Sequence, residues 1–482
     1  MKLTRRGLSL LVAGTAAGWA VGCEEREAGQ GVGPKPTTAS STQGAKGPPG
    51  VTDTSIKLGS WGPLSGPAAA WGVVLHAMNA YFAHINASGG IHGRKLELVY
   101  RDDQYNPAKT PAVVRELVEK EDVFAIVAGI GTANGRAVAD YLEQKGVPFF
   151  TPASGDRFWS EGGKKNVFTV FPKYLTEGEI LGDYIGKELK AKKVAVLYQN
   201  DDFGKQGLEG VKLGLGKHDG AEVVVEAAVQ PTDTDLSGAV SQIAEKKPDA
   251  LVLYCGPKQG IAAVKMLHEQ KKKPQVVTSF VLGDPMMFKL AGDAWEGTIA
   301  SSVAKLPDSD DETIKQYREI IEKYGGGKLP VGTFTMAGFL FALPFVEALN
   351  RAGKEVTREK VQTALESIQD WKGPGPHLKG EGFGPAITFG KDKRLGFDQI
   401  YLVKAKGGKY EKLTEWLGGG AAATQPASDT QPKEQKGAGK GDASGQGKGD
   451  GSGQGKGDGS GQGKGDGSGQ GKGDGSGQGH DH

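Results

Sequence analysis

Gly129 and Gly131 lie in the stretch AGIGTANGRAV (128–138), which follows a short apolar run and leads into a helical pattern. A glycine-rich turn at such a place brings backbone N–H groups to a helix start, where they can bind a phosphate or a carboxylate. The dinucleotide fingerprint is G-x-G-x-x-G. Asn134 stands where its third glycine belongs, and residues 147–151 offer no acid to bind a ribose. NAD binding is therefore not favoured, although the helix start still offers donors to an anion.

The other motifs with catalytic residue types are incomplete. No Walker sequence G-x-x-x-x-G-K-[ST] occurs, and Ser154 lies in TPASGDR rather than in a G-x-S-x-G nucleophile elbow. His76, His84 and His92 are spaced by eight residues, too far apart for two ligands of one zinc ion. The sequence therefore predicts neither an enzyme nor a bound cofactor or metal.

Two pairs of neighbouring carboxylates, Asp102-Asp103 and Asp201-Asp202, come directly after predicted strands. Paired carboxylates can do acid–base work or bind calcium. Aspartate at a strand-to-helix junction is more often a turn former or a helix cap. We favour the turn and cap interpretation for both pairs.

Strand and helix patterns alternate through the chain from about residue 54. The first half reads as SIKLGSW, AAAWGVVLHAMNAYFAHI, RKLELVYRDD, NPAKTPAVVRELVEK, VFAIVAG, ANGRAVADYLEQKG and VPFFTPA, with Asn106 as the N-cap of the second helix. The second half repeats the alternation from KKVAVLYQND to PQVVTSF. This pattern predicts an α/β fold with two doubly wound, parallel-sheet lobes.

The last part of the body is less regular. Two helices, TFTMAGFLFALPFVEALNRAG and REKVQTALESI, precede the predicted strands PAITFG and FDQIYLVKAKGGKY. The first of these helices, residues 333–352, is apolar enough to raise the question of a membrane span. Pro344 and Glu347 interrupt it, so a buried helix is the favoured interpretation.

The N-terminus has the features of an export signal. MKLTRRGLSLLVAGTAAGWAVGC has a basic start and a short apolar stretch rich in glycine and alanine. TRRGL resembles the twin-arginine pattern, and AVGC resembles a bacterial lipobox in which Cys23 would carry the lipid. We predict a signal peptide over residues 1–22 and a lipidated, disordered tether over residues 23–53. Ordinary secretion, with Cys23 left as a passive thiol, is the alternative.

The C-terminal segment, residues 418–482, has a repetitive composition. From Gly447 it repeats GKGDGSGQ with a period of eight and carries no apolar residue that could stack. Because glycine loses much backbone entropy on folding, we predict a disordered tail. The closing GHDH could bind a metal ion weakly, but solvated histidines are the favoured interpretation.

Charge and cysteine content exclude two further classes. The formal net charge is only +2, which argues against a nucleic-acid binder. Cys23 and Cys255 are the only cysteines in the sequence, so a disulfide framework is not expected.

The order of export signal, tether and α/β lobes resembles the periplasmic binding proteins of the class that includes the leucine/isoleucine/valine-binding protein. The segments INASGGIHGRKLELVYRDD, YLEQKGVPFFTPAS, VAVLYQNDDFGKQGLEG and KLAGDAWEGT follow that family's order. The resemblance implies a type I periplasmic-binding-protein fold with a hinge and an interlobe ligand cleft. Lobe 1 would comprise residues 54–173 and 301–388, and lobe 2 would comprise residues 174–300 and 389–415.

The resemblance also implies a set of ligand-binding residues. Trp71 would cover the ligand, and Thr132 would offer its hydroxyl to a ligand carboxylate beside Ile130 and Gly131. Phe203 would be the aromatic residue of lobe 2, although each aromatic could instead be ordinary core packing. The next strand end and a later segment would supply the remaining contacts, Ala153, Ser154, Gly155 and Phe280.

Two positions depart from the amino-acid binders of that family. Gly155 stands where they have a threonine. The acid that pairs the ligand's α-ammonium falls near Phe280, and no Asp or Glu follows until Asp284. A buried ammonium without an anion would be costly. An apolar or aromatic carboxylate is therefore an alternative to a branched-chain or hydrophobic amino acid.

We therefore expect a monomeric, lipid-anchored solute-binding component of an ABC importer in the cell envelope. It would deliver a small organic solute to the permease subunits and catalyse nothing. An envelope ligand sensor or scaffold that uses the same cleft is the alternative, motivated by the repetitive tail. An oxidoreductase is the third hypothesis, and it would require nucleotide binding.

Overall fold

Residues 47–418 are the part of the chain that the computed structural model describes. The predicted signal peptide and Cys23 lie outside the described residues. So do most of the predicted tether and all but the first residue of the predicted tail.

The described residues form helices and strands in alternation. The helices are α1 Val73–Ala87, α2 Thr110–Arg115, α3 Thr132–Gln144, α4 Phe158–Glu161, α5 Tyr174–Lys187, α6 Asp202–Leu215, α7 Ser237–Lys246, α8 Pro257–Glu269, α9 Met286–Ala291, α10 Glu312–Tyr324, α11 Thr333–Ala352 and α12 Arg358–Glu366. The strands are β1 Ser55–Gly62, β2 Lys95–Asp102, β3 Ala125–Val127, β4 Phe149–Phe150, β5 Val167–Phe168, β6 Lys193–Gln199, β7 Glu222–Val229, β8 Ala250–Tyr254, β9 Gln275–Thr278, β10 Ile299–Ser302, β11 Gln399–Lys406, β12 Lys409–Lys412 and β13 Leu417–Gly418.

The first sheet has the strand order β2-β1-β3-β4-β5, and all its pairs are parallel. Its inner strand β3 is buried on both faces because helices cover both. In β3, Ile126 packs with Trp61 on one face, whereas Ala125 and Val127 belong to the larger core on the other.

The second sheet has the strand order β12-β11-β10-β9-β8-β6-β7, with β13 paired to β11. The pairs from β7 to β10 are parallel, and β11 runs antiparallel to β10, β12 and β13. All five residues of the inner strand β8 are buried. Two mostly parallel sheets with flanking helices confirm the predicted α/β fold class.

Three local predictions were wrong. PAITFG is not a strand: only Ile387 forms an isolated bridge, to Trp371. FDQIYLVKAKGGKY forms two antiparallel strands, because Gly407 and Gly408 both have positive φ and turn the chain. Asn106 is not the N-cap of α2, since its side chain accepts from Ala108 N at 2.9 Å and forms a turn before the helix begins.

The chain passes between the two sheets in three places. It crosses after β5, after β10 and before β11, and the crossing segments bond to each other. Thr169 N donates to the Arg394 carbonyl at 2.9 Å, and Lys305 N donates to the Phe383 carbonyl at 2.7 Å. The apolar helix α11 packs beside α1, and 15 of its 20 residues are buried. The lobe boundaries given above stay predictions, with the hinge expected in these crossings.

Candidate ligand-binding site

An apolar cavity lies where the crossing segments meet the carboxyl ends of strands from both sheets. Its volume is about 70 Å³, and none of its 18 lining residues within the described chain is charged. Cavities beyond the carboxyl ends of parallel strands are common ligand sites in α/β folds. The lining residues are Trp71, Val74, Tyr105, Ile130, Gly131, Ala153, Phe171, Tyr174, Phe203, Phe280, Val281, Val303, Ala304, Thr333, Phe334, Ala337, Leu340 and Phe341.

Trp71 crosses the cavity from the side of the first sheet to the side of the second. Its Nε1 donates a hydrogen bond to the carbonyl of Val281 at 3.0 Å. Its ring lies 5.3 Å from that of Tyr105, measured between centroids. Only 8% of the residue is exposed. The indole therefore closes one side of the cavity and joins the two sides directly.

The start of α3 reaches the cavity at Ile130 and Gly131. Gly131 has φ 111°, and an added Cβ would lie 2.4 Å from Asn134 Oδ1, so only glycine fits there. No side chain caps this helix. The first N–H groups of a helix lack intrahelical acceptors, so this end of α3 offers donors to an anion.

Thr132, Ser154 and Gly155 lie directly behind this wall and are not among the cavity-lining residues. The hydroxyls of Thr132 and Ser154 are both buried and lie 2.8 Å apart. An added Cβ on Gly155 would lie 2.3 Å from the Pro172 carbonyl oxygen, so a threonine does not fit there. Of the other predicted residues, the structure brings Trp71, Ile130, Gly131, Ala153, Phe203 and Phe280 to the cavity.

Part of the cavity wall consists of paired aromatic rings. The rings of Tyr174 and Phe203 have centroids 4.8 Å apart, as do those of Phe171 and Phe280. Phe203 is fixed at the start of α6 because Asp201 Oδ1 accepts from Phe203 N at 3.1 Å.

The paired aspartates form turns and caps, as predicted. Asp201 caps α6, and burial raises the pKa of its carboxyl. Asp102 accepts from Leu64 N and Gln104 N, both at 2.9 Å. Asp103 accepts from Thr110 Oγ1 and Asn134 Nδ2, and burial raises its pKa.

Two buried carboxyl groups lie near the cavity but do not line it. Asp284 accepts from Phe334 N at 2.7 Å and Met286 N at 2.8 Å, and burial raises its pKa. Glu177 accepts from Phe280 N at 2.9 Å, and burial raises its pKa to about 7. Both are occupied by donors of the protein itself, so neither is placed to pair a ligand ammonium.

Beside the cavity, a second set of residues joins the two sides through polar contacts. This polar bridge consists of Arg136, Asp156, Arg157, Gln206 and Glu209. Asp156 accepts from Arg136 Nε at 2.5 Å and from Gln206 Nε2 at 2.7 Å. Arg157 N donates to Gln206 Oε1 at 3.0 Å, and the Arg157 guanidinium lies 3.3 Å from Glu209. One turn of α6 thus carries Phe203 in the cavity wall and Gln206 in the bridge.

Several lining residues were not predicted from the sequence, above all Tyr105, Phe171, Tyr174 and Phe334. Each follows a strand or starts a helix, and FPKY, which begins three residues after the end of β5, places two aromatics near a strand end. The rule that ligands lie beyond the carboxyl ends of parallel strands would have selected Phe171 and Tyr174.

Comparisons with known proteins agree with this geometry. A family model described as a periplasmic binding protein matches residues 55–409. The Leu/Ile/Val-binding protein BraC3 of Rhizobium johnstonii is 26% identical over 366 residues, which cover 74% of this chain and 94% of that protein.

Two solved structures share the fold. A fatty acid ABC transporter substrate-binding protein from Thermomonospora curvata has a TM-score of 0.67 and 26% identity, over 77% of this chain and 94% of that one. A branched-chain amino acid ABC transporter protein from Thermus thermophilus, solved with bound valine, has a TM-score of 0.69 and 23% identity, over 76% and 97%. The second likeness shows the fold alone. Because the family model spans most of the sequence, this chain belongs to the periplasmic binding protein family.

Proposed function

We propose that this protein is the extracytoplasmic solute-binding component of an ABC importer and that the apolar cavity holds its solute. The observation that carries the proposal is an uncharged, largely aromatic cavity built from strand ends of both sheets and closed by Trp71. The names of BraC3 and of the Thermomonospora curvata protein describe solute-binding proteins, which supports the same role. The protein would bind and release its solute without catalysis.

The chemistry of the cavity favours an apolar carboxylate over an α-amino acid. An ammonium group moved into this cavity would lose its water, and no carboxylate among the described lining residues could replace it. Burial of an unpaired charge would make the binding free energy less favourable by on the order of several kcal/mol. Asp284 and Glu177, the nearby acids, already accept protein donors.

A carboxylate has a place to bind. We propose that it lies at the start of α3, which reaches the cavity at Gly131 and has no side-chain cap on its first N–H groups. The apolar part of the solute would then contact Phe203 and Phe280.

The cavity volume limits the size of the solute in this state. A volume of about 70 Å³ is several times the roughly 10–15 Å³ that a cavity needs to admit one water, so it suits a small organic solute such as 3-methylbutanoate. Larger solutes would need the two sides of the cavity to move apart.

The wider biological role combines this site with the termini. Residues 54–173 and 301–388 would move as one lobe and residues 174–300 and 389–415 as the other, closing on the solute. Cys23 would anchor the protein by a lipid, and the tether would let the body reach permease subunits. A ligand sensor or scaffold is the second candidate, since the repetitive tail has no evident part in transport.

A thermal-shift screen of full-length protein tests the proposal. The panel contains branched, linear and aromatic carboxylates, each beside its α-amino analogue, with NAD as a negative control. A solute at 100 times its Kd should add about 2.7 kcal/mol of stability. If no small molecule raises the melting temperature, the solute-binding proposal fails. If a solute binds but the neighbouring genes encode no permease, the sensor role gains support instead.

A further inference from the structure

Glu177 is a buried carboxyl group that lies behind the cavity wall. It belongs to α5 and its exposed fraction is 0%. Its oxygens accept hydrogen bonds from Ser279 Oγ at 2.8 Å, from Phe280 N at 2.9 Å and from Ser301 Oγ. Ser279 and Phe280 directly follow β9, and Ser301 belongs to β10. One side chain therefore ties α5 to two neighbouring strands of the second sheet.

The segment that Glu177 holds presents two groups to the cavity. The Phe280 ring lines it, packed 4.8 Å from the ring of Phe171. The carbonyl of Val281 accepts the hydrogen bond from Trp71 Nε1 at 3.0 Å. A shift of this segment would therefore move an apolar wall and the acceptor that pairs with Trp71.

We propose that Glu177 is a positioning residue for the solute cavity. By holding residues 279–281, it places the Phe280 ring and the Val281 carbonyl, and it thereby sets the contact with Trp71 across the cavity. The consequence for solute affinity rests on the proposed function. The consequence for the Trp71 contact does not, because that contact exists without a solute.

The surroundings of Glu177 make this hold depend on pH. The titratable groups that face it are Tyr174 on its own helix and Tyr254 at the end of β8. No cation among the described residues contributes to its ionisation, and burial raises the pKa of its carboxyl to about 7. A carboxyl group with a raised pKa stabilises the folded arrangement most while it is protonated. The arrangement of residues 279–281 around Glu177 therefore loosens as the pH rises through neutrality.

The test measures the Trp71 contact in full-length protein. Labelling with ¹⁵N-tryptophan gives indole signals for the seven tryptophans, and Trp71→Phe identifies the one that belongs to Trp71. Hydrogen exchange of this indole N–H is compared in the wild type, Glu177→Leu and Glu177→Gln. Leucine removes the acceptor, whereas glutamine keeps an amide oxygen in the same place. Glu179→Leu is the matched control, since Glu179 lies on the same helix but is only partly buried and pairs with Lys217.

We expect Glu177→Leu to speed hydrogen exchange of the Trp71 indole N–H by about tenfold. A change of this size corresponds to the net free energy of one to two lost hydrogen bonds. Glu177→Gln should recover most of the protection, and Glu179→Leu should leave it unchanged. If Glu177→Leu leaves the indole unchanged, or speeds it only as much as the core amides of β6 and β8, the proposal is overturned.

A pH profile tests whether Glu177 positions residues 279–281 even if Glu177→Leu fails to fold. In the wild type, the protection factor of the Phe280 amide, followed by mass spectrometry of its peptide, should fall between pH 6 and pH 8, because opening releases the ionised carboxyl group to water. It should stay level in Glu177→Gln. Equal profiles in the two proteins would contradict the proposal. If the wild type binds no solute at all, the proposed function fails while these readouts still test Glu177.

Discussion

The two sides of the molecule meet in two regions that are built from opposite chemistry. The cavity is lined by uncharged, mostly apolar side chains, and Trp71 donates a hydrogen bond across it to the Val281 carbonyl. The polar bridge a turn away along α6 joins the sides through charged groups centred on Asp156. Apolar contact is non-directional and selects by size, whereas paired charges fix geometry. Under the proposed function, the cavity would select the solute and the bridge would set how the two sides fit together.

Each region also contains a buried carboxyl group, and these two differ in their partners. Asp156 has the Arg136 guanidinium beside it. Glu177 has only neutral donors, Ser279, Ser301 and the Phe280 N–H. Removal of Asp156 would leave the Arg136 guanidinium without its carboxylate partner, whereas Glu177 can lose its charge by taking up a proton.

The largest effect should come from breaking the bridge at its centre. Asp156→Ala leaves Arg136 and Gln206 without their shared acceptor, so the free energy of unfolding should fall by about 3 kcal/mol. Urea denaturation measures this free energy of unfolding. Asp202→Ala is the control, because Asp202 is about half exposed and lies 3.6 Å from the same guanidinium. If both variants lower the free energy of unfolding by the same small amount, the bridge does not hold the two sides together.

The next effect concerns the carboxyl behind the cavity. Burial raises the pKa of Glu177 from 4.5 to about 7, so the folded protein binds this proton more tightly than the unfolded chain. Its contribution to stability is complete below pH 4.5 and is lost as the pH rises through 7, by roughly 3 kcal/mol at about 1.4 kcal/mol per pH unit. Denaturation at pH 5 and pH 8 should show this loss in the wild type but not in Glu177→Gln. An identical loss in both proteins would assign the pH dependence to other groups.

A smaller effect separates the cavity from the core. Trp71→Ala should weaken solute binding about tenfold to a hundredfold, since it removes an aromatic surface and a hydrogen bond at the centre of the site. Its unfolding free energy should change much less than that of Trp159→Ala, a core variant expected to lose about 3–5 kcal/mol. Titration calorimetry measures the change in solute affinity, and urea denaturation measures the change in the free energy of unfolding. If Trp71→Ala unfolds as easily as Trp159→Ala, Trp71 is a core residue.

The smallest effect should come from the edge of the bridge. Gln206→Met removes the hydrogen bonds to Asp156 and to Arg157 N, at a cost of about 1 kcal/mol, or roughly fivefold in affinity. Because Gln206 does not line the cavity, all solutes should lose the same factor. A loss that differs between solutes would show that the bridge takes part in selection.

The sequence predicted the fold well where the signal was local. Apolar runs such as VFAIVAG, followed by helical patterns, indicate buried parallel strands, and both sheets contain them. The prediction missed the hairpin of β11 and β12, because a single apolar pattern continues across Gly407 and Gly408. It also made a strand of PAITFG, where tertiary contacts leave only one bridge at Ile387.

The site was harder to predict because its residues are brought together by the crossings. Trp71 and Phe203 came from the family resemblance, and both line the cavity. Glu177 gave no signal, since a glutamate in YLTEGEILGDYI has the sequence pattern of an exposed helix position. Only the packing of α5 against β9 and β10 shows that it is buried among donors.

The central claim is that the cavity selects a carboxylate and rejects an ammonium. L-valine and 3-methylbutanoate differ only by the α-amino group, so titration calorimetry of both against the wild-type protein tests it directly. The account predicts that 3-methylbutanoate binds at least about a hundredfold more tightly, since an unpaired buried ammonium costs several kcal/mol. Binding of L-valine as tight as that of 3-methylbutanoate, or tighter, would contradict it.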